Sequence, residues 1–191
     1  LLDALGIARA HIVGASMGGM IAQLVAANHP QRVLSLTSIM STTGNRRVPP
    51  AKPEAFKALT TPPPASATLE QIVPHVTRIA RAIGSPAYPT AEDRLVERIT
   101  RDFERSFHPT GAGRQLAAII DDGCRRSRLK NVTAPSLVIH GVDDPLVRVE
   151  GGRDTAAHIA GARLHEIPGM GHDLPLELVD EVADAIAGVA R

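Results

Sequence analysis

The segment Gly14-Ala15-Ser16-Met17-Gly18 places a serine between two glycines in the pattern Gly-x-Ser-x-Gly. Such a pattern is typical of a sharp turn between a strand and a helix, which exposes a serine hydroxyl in a strained backbone conformation. Side chains at positions 14 and 18 are expected to crowd that turn. A helix starting at Met17 would direct its free N–H groups at a developing negative charge. Ser16 is therefore a candidate nucleophile, and the Met17 N–H is a candidate oxyanion donor.

A serine hydroxyl is a poor nucleophile without a base, and His172 is the candidate for that role. It lies in the segment 169–173, Gly-Met-Gly-His-Asp, which follows the last predicted strand. A glycine-rich loop at that point could bring the imidazole back over the sheet. His172 therefore becomes a candidate general base.

Two adjacent carboxylates follow another predicted strand in the segment 141–145, Gly-Val-Asp-Asp-Pro. A carboxylate there can fix the tautomer of a histidine and stabilise its protonated form. Neighbouring side chains point in different directions, so we expect only one of Asp143 and Asp144 to face His172. Pro145 favours an extended backbone at Asp144, which supports that residue without excluding the other.

The hydrophobic pattern predicts the elements that would carry these residues. The predicted strands cover residues 8–14, 32–40, 136–141 and 162–167. The predicted helices beside them cover residues 17–28, 150–160 and 174–190. Strand, helix and strand within the first forty residues form a βαβ unit with parallel strands. The candidate nucleophile, acid and base then follow the carboxyl ends of strands, where open α/β sheets bind ligands.

A different composition separates the second and third strands. Nine of the fifteen prolines lie between Pro49 and Pro89, and we expect an irregular connection over 43–67. Helical periodicity follows over 69–83, where Pro74 either starts or kinks the helix, then from Thr90 and over 113–120. We interpret 46–127 as a helical cap inserted into an α/β core made of 1–45 and 128–191.

Three segments carry a resemblance to a known family. They read His-Ile-Val-Gly-Ala-Ser-Met-Gly-Gly-Met, Val-Ile-His-Gly-Val-Asp-Asp-Pro-Leu-Val and Ala-Arg-Leu-His-Glu-Ile-Pro-Gly-Met-Gly-His. The chain resembles the α/β-hydrolase-fold serine hydrolases, and near His172 it is similar to bacterial carboxylesterases of the aclacinomycin-methylesterase type. The resemblance implies the triad order Ser16, Asp144, His172. It favours Asp144 because the family places its acid third after the glycine of a His-Gly pair, which is Gly141 here.

The resemblance also implies more chain than is present here. The family has eight strands with the nucleophile turn after the fifth, whereas four strands are predicted here. We therefore expect an N-terminal truncation, with the second oxyanion donor upstream of Leu1. On this view the strand at 8–14 is a bare sheet edge, and residues 1–191 alone are expected to be inactive, and either marginally stable, aggregating or dimeric through that edge.

The expected reaction is hydrolysis of a small-molecule carboxylic ester through an acyl-enzyme, with no cofactor and no metal. The cap would roof the pocket and set specificity. Other chemistry on the same triad remains open: lactone or amide hydrolysis, C–C bond hydrolysis, acyl transfer, or cofactor-free haloperoxidase activity. A catalytically inactive binding module is the alternative from another class.

Composition excludes several other classes. Of 191 residues, 43% are hydrophobic and 21% are charged, and 21 basic residues balance 20 acidic ones. Near-neutrality and 2% aromatic content argue against a nucleic-acid partner. One cysteine rules out an internal disulfide, and no apolar run reaches the roughly 18 residues of a membrane span. We expect a cytoplasmic protein with no membrane partner and leave a homodimer open.

Three features have plainer interpretations. Ser16 could be a helix N-cap without further function. The basic group of Arg125, Arg126, Arg128 and Lys130 is interpreted as a solvated face. His140, within a predicted buried strand, is interpreted as a hydrogen-bonded core residue.

Overall fold

The computed structural model describes residues 1–63 and 66–191, which form four strands and eight α-helices. The strands are β1 (Ala10–Ala15), β2 (Val33–Ile39), β3 (Ser136–Gly141) and β4 (Arg163–Ile167). The helices are α1 (Met17–Asn28), α2 (Pro53–Thr60), α3 (Leu69–Ile83), α4 (Glu92–Arg105), α5 (Gly111–Asp122), α6 (Arg126–Leu129), α7 (Val149–Ala157) and α8 (Val179–Val189).

The strands form one parallel sheet in the order β1-β2-β3-β4. All six residues of β3 are buried, and β2 is buried along nearly its whole length. Strands buried along their whole length are typical of parallel sheets covered by helices on both faces. Strand β1 lies at one edge of the sheet within the described residues, where Val13 is 48% exposed.

Helices cover both faces of this sheet. Ile139 of β3 packs in a cluster with Val182 of α8, whereas the next residue along the strand, His140, lies against Gly152 of α7. Because successive side chains of a strand point to opposite faces, α7 and α8 lie on opposite sides. A second cluster joins Ala22 and Ala26 of α1 to Leu36 of β2. The parallel α/β sheet expected from the sequence is therefore confirmed for these elements.

Helices α2 to α5 lie between β2 and β3 in the chain. Ile72 of α3 and Leu95 and Ile99 of α4 form a third buried cluster, and Phe103 and Phe107 pack against it. Pro74 lies inside α3, which begins at Leu69 rather than at the proline. The predicted domain boundaries at 45 and 127 stay predictions.

Several boundaries differ from the sequence prediction. The connection over 43–67 contains α2, and its residues 64 and 65 lie outside the described residues. The helix predicted from Thr90 begins at Glu92. The last helix, predicted from residue 174, begins at Val179 after a short 3-10 turn that follows Pro175. In the described part of the chain, no helix is long and apolar enough to cross a membrane.

Candidate active site

Ser16 lies in a one-residue turn between β1 and α1. Its backbone has φ 54° and ψ −119°, a left-handed φ that a residue with a side chain rarely adopts. Met40, at the end of the neighbouring strand β2, also has a positive φ, of 42°. These are the two non-glycine residues with positive φ in the described chain. Strained backbone of this kind persists only where the surrounding fold holds it in place, and it occurs most often at functional sites.

Of the two glycines around Ser16, Gly14 has the role expected from the sequence and Gly18 does not. A Cβ on Gly14 would lie 2.0 Å from the Gly18 carbonyl oxygen, so this position has no room for a side chain. A Cβ on Gly18 would meet nothing within 4 Å, and the expectation that Gly18 prevents crowding is wrong. The second crowded position is Gly19, whose Cβ would lie 2.6 Å from the Ser41 Cβ. The close approach is between the first turn of α1 and the residues after β2, which motif spacing does not reveal.

The structure brings Ser16, His172 and Asp144 into one hydrogen-bonded chain. Ser16 Oγ lies 2.9 Å from His172 Nε2, and His172 Nδ1 lies 2.7 Å from Asp144 Oδ2. An ionised carboxylate only accepts, so Nδ1–H donates to Asp144 and Nε2 is left to accept the Ser16 hydroxyl. This tautomer is the one that a serine nucleophile needs in its base.

Asp144, and not Asp143, faces His172. Asp144 is fully buried, and its Oδ1 accepts the N–H groups of Leu146 and Val147, each at 2.9 Å. The buried charge is therefore satisfied on both oxygens. Asp143 turns the other way, and its Oδ2 accepts the Gly169 N–H at 2.8 Å. Both carboxylates hold the loop that carries the histidine, but only one touches the imidazole.

A second histidine lies beside the acid. His140 is fully buried on β3 as expected, and its Nε2 donates to the Val147 carbonyl at 2.7 Å. The same nitrogen lies 3.6 Å from Asp144 Oδ2. Burial lowers the pKa of His140 below its ordinary value, so the ring stays neutral and places no competing cation beside Asp144. The sequence predicted that His140 lies in the core but did not reveal its contacts with Val147 and Asp144.

In the basic group after α5, Lys130 is exposed as the sequence suggested, but Arg125 is buried. Arg125 is 1% exposed and donates to the Thr42 carbonyl at 2.8 Å and to Gln23 at 3.3 Å. Its guanidinium and that of Arg128 both pair with Asp122, which lowers the pKa of that carboxyl. This network ties the end of α5 to α1 and to the residues after β2, and periodicity could not reveal it because Thr42 and Gln23 are distant in sequence.

A cavity of about 530 Å³ opens beside the triad. Its wall includes Ala15 and His172 from the sheet side and Ala80, Ile83 and Leu95 from α3 and α4. Helix α1 begins at Met17, and the first N–H groups of a helix have no partner within it. In the described residues, no group of three histidine, cysteine or acidic side chains is placed to hold a metal ion.

Comparisons with known proteins agree on one fold. A family model described as alpha/beta hydrolase fold matches residues 1–177. A 2-hydroxy-6-oxononadienedioate/2-hydroxy-6-oxononatrienedioate hydrolase of Cupriavidus pinatubonensis is 32% identical over 177 residues, which cover 90% of this chain and 58% of the relative. The rhodomycin D methylesterase DnrP of Streptomyces peucetius is 28% identical over 211 residues, which cover 100% of this chain and 70% of the relative.

The solved structure of an N-acyl homoserine lactone degrading enzyme gives the same result. It matches with a TM-score of 0.73 at 28% identity, covering 98% of this chain and 70% of the other. The chain spans 58% of the length of the Cupriavidus relative.

Proposed function

The chain belongs to the α/β-hydrolase family, and we propose that it is a serine hydrolase that cleaves a small-molecule carboxylic ester. The observation that carries the proposal is the chain of hydrogen bonds from Ser16 through His172 to buried Asp144, with Ser16 held at a positive φ. A methylesterase among the relatives supports the ester as substrate.

The proposed reaction has two halves. Ser16 Oγ attacks the ester carbonyl while His172 Nε2 takes the hydroxyl proton, and Asp144 stabilises the imidazolium. The N–H of Met17 donates to the oxyanion of the tetrahedral intermediate. Collapse of the intermediate expels the alcohol, which receives the proton from His172. Water then attacks the acyl-enzyme, His172 removes its proton, and the carboxylic acid leaves with Ser16 restored. The reaction uses no cofactor.

Covalent labelling of the natural full-length protein tests this assignment. A fluorophosphonate is expected to add one phosphonyl group at Ser16, detected by intact-mass and peptide mass spectrometry. Ser16→Ala is expected to abolish labelling and to lower p-nitrophenyl butyrate turnover by about 10³- to 10⁶-fold. Ser136→Ala, at a buried serine that starts β3, is the control. A wild-type protein that folds but is neither labelled nor active would instead support a binding module.

Cleavage of a carbon–carbon bond by the same residues is the second candidate. The 32% identical relative from Cupriavidus is named a 2-hydroxy-6-oxononadienedioate/2-hydroxy-6-oxononatrienedioate hydrolase, and this name is the observation that supports the second candidate. Incubation with such a dienedioate, followed by loss of its conjugated absorbance, distinguishes the two. Rapid turnover of the dienedioate together with slow turnover of p-nitrophenyl butyrate would make C–C hydrolysis the function.

A further inference from the structure

One segment of the helical insertion touches the loop that carries His172. We call residues 83–87 the cap segment and residues 169–173 the histidine loop. The His172 N–H donates to the Ile83 carbonyl at 2.7 Å, and the Ala87 N–H donates to the Gly169 carbonyl at 3.2 Å. The backbone of the general base is thus bonded to the end of α3, which lies in the insertion and not in the sheet.

The two backbones are in direct contact, with no space for a side chain between them. A Cβ on Gly171 would lie 2.3 Å from the Gly84 carbonyl oxygen. A Cβ on Gly169 would lie 2.4 Å from the Ala87 Cβ, and Gly169 also has a positive φ of 77°. Real Cβ atoms do not approach so closely, so this contact depends on glycine at both positions of the histidine loop.

Ser85 bridges the residues on either side of His172. Its Oγ accepts the Gly171 N–H at 2.8 Å and donates its proton to the Asp173 carboxylate. The side chain is buried at 4% exposure. A buried hydroxyl that both accepts and donates holds its two partners at fixed positions relative to each other.

We propose that Ser85 is a positioning residue, which holds His172 within reach of Ser16 from the side of the insertion. This rests on the function proposed above. The histidine loop is then held on both flanks: by Asp143 and Asp144 from the strand ends and by the cap segment from above. The cap segment is a fixed wall of the active site, since moving it away would carry the His172 backbone with it.

Kinetics of three variants of the full-length protein test the role of Ser85. Ser85→Ala removes the bridge and is expected to lower kcat for p-nitrophenyl butyrate by about 10-fold or more, since a misplacement of about 1 Å can reduce the rate by about 100-fold. KM is expected to stay within about twofold. Ser85→Thr keeps the hydroxyl and is expected to retain most of kcat. The matched control is Ser136→Ala, because Ser136 is also buried and its hydroxyl donates to the Ala134 carbonyl away from the site.

Hydrogen–deuterium exchange adds a readout that does not depend on turnover. Ser85→Ala is expected to speed amide exchange in residues 169–173, whereas Ser136→Ala leaves that segment unchanged. Faster exchange with a fall in kcat supports the proposal. A kcat within about twofold of wild type, an equal fall in Ser136→Ala, or unchanged exchange in Ser85→Ala would overturn it. A wild type without turnover or labelling defeats the proposed function separately, while the exchange result still decides whether Ser85 holds the loop.

Discussion

Alanine substitutions at two glycines of one motif are expected to have opposite effects. Gly14 and Gly18 flank Ser16 symmetrically in the sequence, but their surroundings differ completely. A Cβ on Gly14 would lie 2.0 Å from the Gly18 oxygen, 2.4 Å from the Gly18 carbonyl carbon and 2.8 Å from the Gly19 nitrogen. All three atoms belong to backbone, which cannot rotate away. A Cβ on Gly18 meets nothing within 4 Å.

The magnitudes follow from these distances. Ordinary van der Waals contact begins at 3.4 Å, so Gly14→Ala must push two backbone segments apart by more than an ångström. Overpacking typically costs about 1–3 kcal/mol and occasionally more, and we place this rigid case at about 3 kcal/mol. Gly18→Ala adds a good helix former at an unobstructed position of α1 and is expected to stabilise by about 0.5–1 kcal/mol. The variants should therefore differ by roughly 4 kcal/mol, or on the order of 10 °C in Tm.

Denaturant and thermal unfolding of both variants measure the difference, and fluorophosphonate labelling reports on the Ser16 turn. Gly14→Ala is expected to slow labelling by about 100-fold, because the displaced turn moves Ser16 relative to His172. Gly18→Ala is expected to label at the wild-type rate. The reasoning is refuted if the two variants unfold within about 1 kcal/mol of each other, or if Gly18→Ala is the less stable one.

Three further predictions concern the acid, the buried histidine and the buried arginine. Asp144→Asn is expected to lower kcat by about 10⁴-fold, because the amide favours the wrong histidine tautomer. Asp143→Asn keeps an oxygen that can accept the Gly169 N–H, and its kcat is expected to stay within about tenfold of wild type. The reverse order in steady-state kinetics would move the acid to position 143. Burial lowers the pKa of His140, so below about pH 6.5 the unfolded chain binds a proton that the folded chain does not, and the free energy of unfolding decreases as the pH is lowered further. Urea titrations from pH 8 to 5.5 should show a smaller decrease for His140→Gln than for wild type. Equal decreases would contradict this account. Arg125→Leu is expected to lower the free energy of unfolding in urea by about 2–3 kcal/mol, because it leaves buried acceptors unpaired. Arg153→Leu, which removes an exposed ion pair with an acidic residue of β4, is expected to lower it far less. Similar decreases would show that the Arg125 network is not stabilising.

The sequence by itself determined the local features of the site. A run of β-type residues, two glycines around Ser16 and an apolar helical period predicted the strand–turn–helix unit, and helix α1 has the bounds predicted from its pattern. The acid and base segments could be located because each follows a strand, and parallel strands bring their carboxyl ends to one edge. These signals lie within about a dozen residues of chain, which is the range over which periodicity and turn chemistry act.

Contacts between distant segments were decided only by the tertiary structure. The sequence could not show that Arg125 is buried, because its partners lie on α1 and after β2, about a hundred and about eighty residues away in the chain. It could not separate Gly18 from Gly19, because Ser41 decides which one is crowded. Nothing in the sequence indicated that Ser85 bonds to the histidine loop, because a single serine after a helix belongs to no recognisable motif. Each of these features depends on which surfaces come into contact when the helices pack across the sheet. Hydrophobic periodicity predicts the elements but not the contacts between them.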